Sequence, residues 1–171
     1  MPHSDNNPPP IERPLRALFA ELGIETVTHR HVALATVAQS QSLRGSLPGG
    51  HIKNLFLRDK KRRQWLVTVD EDRTVDLKEL RAKLGTTGNL SFGSPELLQA
   101  SLGIAPGAVT PFAAMNDHDR AVTFVLDRDL MRHETINAHP LHNEATVAIA
   151  CDDLLRFLDK CGHPPLMVDF A

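Results

Sequence analysis

Leu15, Leu18, Phe19 and Leu22 recur at the i, i+3, i+4, i+7 spacing of one helix face, and Gly23 follows as a stop. Glu25 to Arg30 then reads as a short strand, and Thr36 with Gln39 has the form of a capping box, predicting a short helix that ends near Gly45. The runs 52–59 and 64–70 are rich in Leu, Val and Phe, and the polar turn Lys60–Arg63 joins them. They predict a β-hairpin near the centre of a sheet. Asp76 and Glu79 open a helix over 77–84 with Gly85 as its stop, and Ser94 before Pro95 starts another. Residues 107–114 and 121–127 are expected to be strands, with a short helix near Asp129 and further strand from Thr146 to Ala150. Asp152 is expected to cap a last helix carrying Leu154, Leu155 and Leu158, closed by Gly162 and Pro164. Helices and strands are therefore interspersed. The expected fold class is α/β (α+β): one domain with a mixed, partly barrel-like sheet flanked by helices, spanning 11–171 behind a polar, proline-rich tail at 1–10 that is expected to be disordered.

Composition agrees with a folded core, because 171 residues with 42% hydrophobic and 23% charged side chains are close to globular averages. A net charge of −2 excludes a generic polyanion binder, so contact with nucleic acid has to come from a local basic patch. Apolar runs are far shorter than the ~20 residues of a spanning helix, and no apolar leader segment is evident; a soluble, cytoplasmic protein without membrane contact is expected. Cys151 and Cys161 stand ten residues apart around the last helix, about 15 Å at a rise of ~1.5 Å per residue. That is beyond disulfide reach, so both are expected to be free thiols without catalytic work.

The chemistry-bearing positions are few. There is no P-loop, GxGxxG, HExxH or GxSxG pattern. His29 with His31, and His139 with His142, are spaced for one face or one turn, but neither pair brings the third ligand of an open zinc site, so no metal is expected. Lys53 and Asn54 open an otherwise apolar strand, His51 to Leu57. On the residues alone, Lys53 reads either as a strand-end lysine reaching water along its stem or as a charge kept for a ligand. Gly103 to Phe112 packs two glycines and two prolines into a short stretch. It reads either as a turn into a strand or as a rigid loop aiming N–H groups at an oxyanion.

Several motifs then stand in a familiar order: His31 to Thr36, Lys53-Asn54-Leu55-Phe56-Leu57-Arg58-Asp59, Leu90-Ser91-Phe92, Gly107-Ala108-Val109-Thr110-Pro111-Phe112, Asn116-Asp117, His139-Pro140 through Asn143 with Ala145-Thr146-Val147, and Phe157 to Pro164. On these, from about Leu15 to Phe170, the chain resembles the YbaK/ProX family of aminoacyl-tRNA editing domains, free-standing relatives of the insertion domain of bacterial prolyl-tRNA synthetase. The overall pattern is most similar to the branch that deacylates alanyl-tRNA carrying the proline anticodon. Departures are Thr110, where many relatives have serine, and His142 and Glu144, at positions more often apolar or small and neutral.

The resemblance implies a hydrolase that acts in trans on mischarged tRNA for proline, with no cofactor and no metal. Prolyl-tRNA synthetase is a possible docking partner, and DNA is not a partner. Lys53 is implied to hold the ester end or the terminal phosphate and sugar, and Asn54 to position the same group or brace the loop. Gly107, Ala108, Val109, Thr110 and Pro111 are implied to form a backbone wall against the aminoacyl group, with His31 nearby. His139 is implied to orient water, to meet the substrate amine, or to brace the loop. Lys60, Lys61, Arg62 and Arg63 form the basic cluster expected to meet tRNA phosphates. The alternatives are a cysteinyl or seryl ester on the same scaffold, and a module that binds aminoacyl-tRNA or a synthetase without turnover.

Overall fold

Three helices end where a glycine follows the last apolar residue. α1 (Arg13–Leu22), α2 (Leu77–Leu84) and α3 (Pro95–Leu102) run into Gly23, Gly85 and Gly103, all with φ between 64° and 66°. The left-handed conformation turns the chain back and satisfies the last carbonyls. The computed structural model describes residues 7–33 and 47–170. At helix starts, the Asp76 carboxylate accepts from Lys78 N at 2.8 Å and the Ser94 hydroxyl accepts from Leu97 N at 3.1 Å. The remaining helix, α4 (Cys151–Lys160), begins two residues earlier than expected. Ala150 takes the cap position without a side-chain bond, and Asp152 lies in the first turn beside Asp153, where the charges meet the helix dipole.

The strands are β1 (Thr26–Arg30), β2 (Gly50–Arg58), β3 (Gln64–Asp70), β4 (Ser91–Phe92), β5 (Val122–Asp127), β6 (Thr135–Ala138), β7 (Ala145–Ala150) and β8 (Leu166–Val168). They form one mixed sheet in the order β1-β7-β6-β2-β3-β5-β8, and β4 pairs with the far end of β2. The expected hairpin β2–β3 is central. β2 joins two halves: Gly50 and His51 pair in parallel with Ile136 and Asn137 of β6, and Ile52 to Arg58 pair antiparallel with β3. Gly50 is required at the crossing, because a Cβ there would stand 2.5 Å from the His133 ring.

Alternation along β2 and β3 sorts their side chains between two cores. Phe56, Leu66, Phe124 and Leu126 face the larger one, built with α1, α3 and α4 around Phe19, Phe112 and Phe157. The rings of Phe19 and Phe112, and of Phe112 and Phe157, meet edge to face with centroids 5.3 and 5.4 Å apart. Leu57, Trp65, Val67, Val69 and Val125 face the smaller core under Leu80 of α2.

The expected strand over 107–114 is not one. Pro106–Ala108 and Pro111–Asn116 are 3-10 turns. Two prolines withhold the N–H groups a ladder needs, and the Thr110 hydroxyl accepts from Phe112 N at 3.3 Å to start the second turn. Of the segment expected to be a tail, Pro10 opens a 3-10 turn to Glu12, and Arg13 donates to the Pro8 carbonyl at 3.4 Å. The helix expected from Thr36 to Gly45 lies outside the described residues. No helix among the described residues is long and apolar enough to cross a membrane.

Candidate active site at the meeting of three loops

Asn54 connects the sheet to the glycine-proline loop. It lies opposite Thr68, whose hydroxyl donates to Asn54 Oδ1 at 2.6 Å, and this fixes the carboxamide so that Nδ2 donates to the Val109 carbonyl at 3.1 Å. The loop is therefore held at its centre by β2. Around that contact Gly107 is exposed and Val109 half-buried, whereas Ala108, Thr110 and Pro111 are buried. The Thr110 hydroxyl is spent on the turn, and the residue is completely buried.

A second loop, 139–144, packs against the first. A Cβ on Gly107 would come within 3.2 Å of Asn143 Nδ2. The loop turns sharply at Leu141, which adopts φ 72°, and hydrogen bonds close it at both ends. His139 Nδ1 donates to the Ala145 carbonyl at 3.0 Å, the Glu144 N–H donates to His142 Nδ1 at 3.1 Å, and the His31 N–H donates to the Glu144 carbonyl at 3.1 Å. His31 also pairs through Nε2 with the Thr146 hydroxyl at 2.9 Å, which locks the end of β1 to this loop. Burial pushes the His139 pKa below its usual value against the hydrogen bond to Ala145, and His31 and His142 push it lower still. His139 is neutral at physiological pH, with Nδ1 protonated and Nε2 presenting a lone pair.

The loop is anchored from below by a carboxylate. Glu12 is completely buried, and His142 Nε2, Arg16 and Arg30 all donate to it. Burial alone would raise this carboxyl; the donors Arg30, His142 and Arg16 overcome it and hold it at about 2. Arg16 continues to the Thr26 and Thr28 hydroxyls, so α1, β1 and loop 139–144 share one ion cluster.

Lys53 stands apart from these contacts. It is paired with Val69, and alternation sets it on the face of β2 opposite to Asn54. Its ammonium has no hydrogen bond or ion pair among the described residues, and the side chain is half-buried at the end of the β2–β3 pairing. The basic turn lies at the other end of the hairpin, about 20 Å away at ~3.3 Å per residue. There Lys60, Lys61 and Arg62 are exposed. Arg63 is occupied by the buried Asp59 carboxylate at 3.0 Å and lies over the Trp65 ring at 5.4 Å. The structure thus brings together Asn54, the 107–111 loop, His139 and His31, sets the Lys53 side chain on the other face of β2 and leaves Lys60–Arg63 remote.

Among the described residues no group of three or more His, Cys, Asp or Glu is arranged to hold a metal ion. Both cysteines are free, and burial pushes each thiol up to about 11, so neither is nucleophilic at neutral pH. Sequence reasoning missed Glu12, Thr68 and the contact made by Asn143. Glu12 and its partner His142 are 130 residues apart, and no local pattern announces such a pair.

The pattern of the family described as aminoacyl-tRNA editing domain matches residues 31–157. The prolyl-tRNA synthetase associated domain-containing protein 1 of Danio rerio is 41% identical over 165 residues, 95% of this chain and 89% of that protein. The prolyl-tRNA editing protein ProX of Acetoanaerobium sticklandii is 37% identical over 148 residues, covering 86% of this chain and 90% of that one. A solved structure of a candidate trans-editing enzyme for prolyl tRNA synthetase shares the fold, with a TM-score of 0.71 at 20% identity over 95% of this chain and 98% of that one. With most of its length matched by the family pattern and nearly all of it by relatives above 30% identity, the chain belongs to the aminoacyl-tRNA editing domain family and is related to ProX.

Proposed function

We propose that the protein is a trans-editing deacylase that hydrolyses the ester of mischarged tRNA for proline, with alanyl-tRNA as its substrate. One observation carries the reading. A neutral imidazole, His139, offers Nε2 from a loop packed on Gly107, and Asn54 holds the neighbouring Val109 carbonyl. The name of the ProX relative, a prolyl-tRNA editing protein, supports proline-specific tRNA as the carrier.

In this reading His139 Nε2 accepts a hydrogen bond from the attacking water. The water oxygen bonds to the ester carbonyl carbon, and the resulting oxyanion is met by backbone N–H groups of the 107–111 loop. The carbon–oxygen bond to the terminal ribose then breaks, and the water's proton passes to the departing ribose oxygen, helped by the adjacent hydroxyl. Lys53, whose ammonium has no partner among the described residues, holds the terminal phosphate as a point charge. Lys60, Lys61 and Arg62 meet phosphates further along the acceptor arm, a reach that a nucleic acid spans and a free amino acid does not. Editing is needed because one missing methylene discriminates by only about 10–200-fold, so a prolyl site cannot fully reject alanine.

The test is turnover on alanyl-tRNA for proline with enzyme far below substrate. Many equivalents of alanine released per enzyme support the reading; protection of the ester, with no release, replaces it with a binding module. Full activity on tRNA lacking the ribose hydroxyl beside the ester would remove the substrate-assisted step.

A further inference from the structure

Phe92 holds its ring in solvent on a rigid mount. The ring is 62% exposed, whereas Phe19, Phe56, Phe112, Phe124, Phe157 and Trp65 are all buried. Its backbone is fixed to β2: β4 pairs Phe92 with Leu57 and Ser91 with Arg58, and the Gly93 N–H donates to the Phe56 carbonyl at 2.9 Å. Glycine is required for that approach, since a Cβ at position 93 would stand 2.5 Å from the Phe56 ring. Leu90, two residues back, belongs to the smaller core, and Phe92 stops outside it.

The register sets this ring between cations. Lys53, Leu55 and Leu57 share one face of β2, and Phe92 lies opposite Leu57 on that face. Lys53 is therefore four residues to one side, about 13 Å along the strand at ~3.3 Å per residue. Lys60 begins the basic turn three residues to the other side, about 10 Å away. Arg58, Lys60, Lys61 and Arg62 are exposed and have no ion pair among the described residues. Over 50–63 and 85–95 the one carboxylate is Asp59, which is buried and held by Arg63. An apolar partner would need a wider apolar patch, but the exposed residues next along β2, Arg58 and Lys60, are charged. Cations on both sides of an open aromatic face are what a single-stranded nucleic acid requires, with phosphates on the charges and a base stacked on the ring.

We infer that Phe92 is a stacking platform for an unpaired base of the tRNA 3′ end, on a strand whose phosphates Lys53 meets on one side and the basic turn on the other. The occupant rests on the editing reading above, because the unpaired nucleotides of a tRNA 3′ end are the ones that carry the ester. Stacking needs a base free of its own helix, which the paired acceptor stem does not offer. Phenylalanine brings no hydrogen-bonding group, so the contact adds affinity without reading the base.

The experiment measures binding of uncharged tRNA for proline, intact and with its unpaired 3′ nucleotides removed, to the wild type, Phe92→Ala, Phe92→Leu and Phe92→Trp over a range of salt. Phe92→Ala and Phe92→Leu are expected to weaken binding of intact tRNA by about tenfold, within the range one base–aromatic stack is worth, and Phe92→Trp to bind as tightly as the wild type. The salt slope stays the same in all four proteins, because no phosphate contact is lost, and on trimmed tRNA all four bind alike. Thermal unfolding of Phe92→Ala is expected to match the wild type, since the ring contributes little to the core. An unaffected Phe92→Ala, a Phe92→Leu that binds like the wild type, or an equal loss on trimmed tRNA would overturn the inference. Alanine release by the wild type separates the two readings. A wild type that releases no alanine but binds the 3′ end through Phe92 overturns the editing reading alone, and one that releases alanine with an unaffected Phe92→Ala overturns the inference alone.

Discussion

Replacing Asn54 tests whether the sheet holds the loop. Asn54→Ala removes the acceptor of the Thr68 hydroxyl, a group only 1% exposed, and the donor to the Val109 carbonyl. A buried hydroxyl left without a partner costs about 1–3 kcal/mol, and the half-buried carbonyl adds about 1 kcal/mol because water reaches part of it. The sum, about 3 kcal/mol, is a large fraction of the ~5–15 kcal/mol that holds a domain of this kind together. At roughly 2–4 °C per kcal/mol for a chain of this size, Tm falls by about 6–12 °C. Activity falls further than stability, because a loop displaced by about 1 Å loses on the order of a hundredfold in rate. Asn54→Asp separates the two effects. Its carboxylate still accepts from Thr68 but opposes the Val109 carbonyl, so most of the stability returns and the activity does not. The assay is thermal unfolding followed by circular dichroism, in parallel with alanine release from alanyl-tRNA. An Asn54→Ala protein that melts with the wild type and edits at its rate would refute the reasoning.

Further outcomes follow from the electrostatics. Because burial depresses the His139 pKa, its neutral form persists below the ordinary histidine value of 6.5; kcat/KM should hold steady down to that pH and decline only beneath it, and a decline centred above 6.5 in the pH–rate profile would contradict the assignment. Glu12, depressed from 4.5 to about 2, contributes stability that is fully present above its unfolded value and is lost as pH falls through about 2. The stability gap between wild type and Glu12→Gln, measured by urea unfolding, should therefore narrow by about 3 kcal/mol between about pH 5 and pH 2; a constant gap would show that the carboxylate is not so held. Charge reversal at Lys61 and Arg62 should weaken tRNA binding and reduce its salt slope by about 1–2, as two phosphate contacts are worth, and an unchanged slope would dismiss the turn as a tRNA contact.

Elements with a strong period or an explicit stop were legible in the sequence. α1 and α2 end at the expected glycines, α3 starts at the expected Ser94 cap, and the β2–β3 hairpin sits where its apolar runs place it. The 107–114 segment misled because Val109, Thr110 and Phe112 carry strand propensity, whereas Pro106 and Pro111 decide the backbone. β4, β6 and β8 are two to four residues long, too short for alternation to announce them. The parallel pairing of β2 with β6 joins residues more than eighty positions apart, and local pattern carries no trace of it. Motif order singled out Asn54, Gly107 and His139, whose loops the fold brings together, and the loop motif contained Asn143. What no local reading supplies is which groups touch. Lys53 and Asn54 are adjacent in the chain yet leave β2 on opposite faces, and Glu12 is an ordinary first-turn acid until α1 folds over His142.

The most direct test of the central claim is release of labelled amino acid from tRNA for proline charged separately with alanine, cysteine, serine and proline, with wild type and Lys53→Ala. The account predicts rapid release of alanine, slow release of cysteine and serine, no release of proline, and loss of alanine release in the variant. Release of proline at the rate of alanine, or of none of the four, would contradict it.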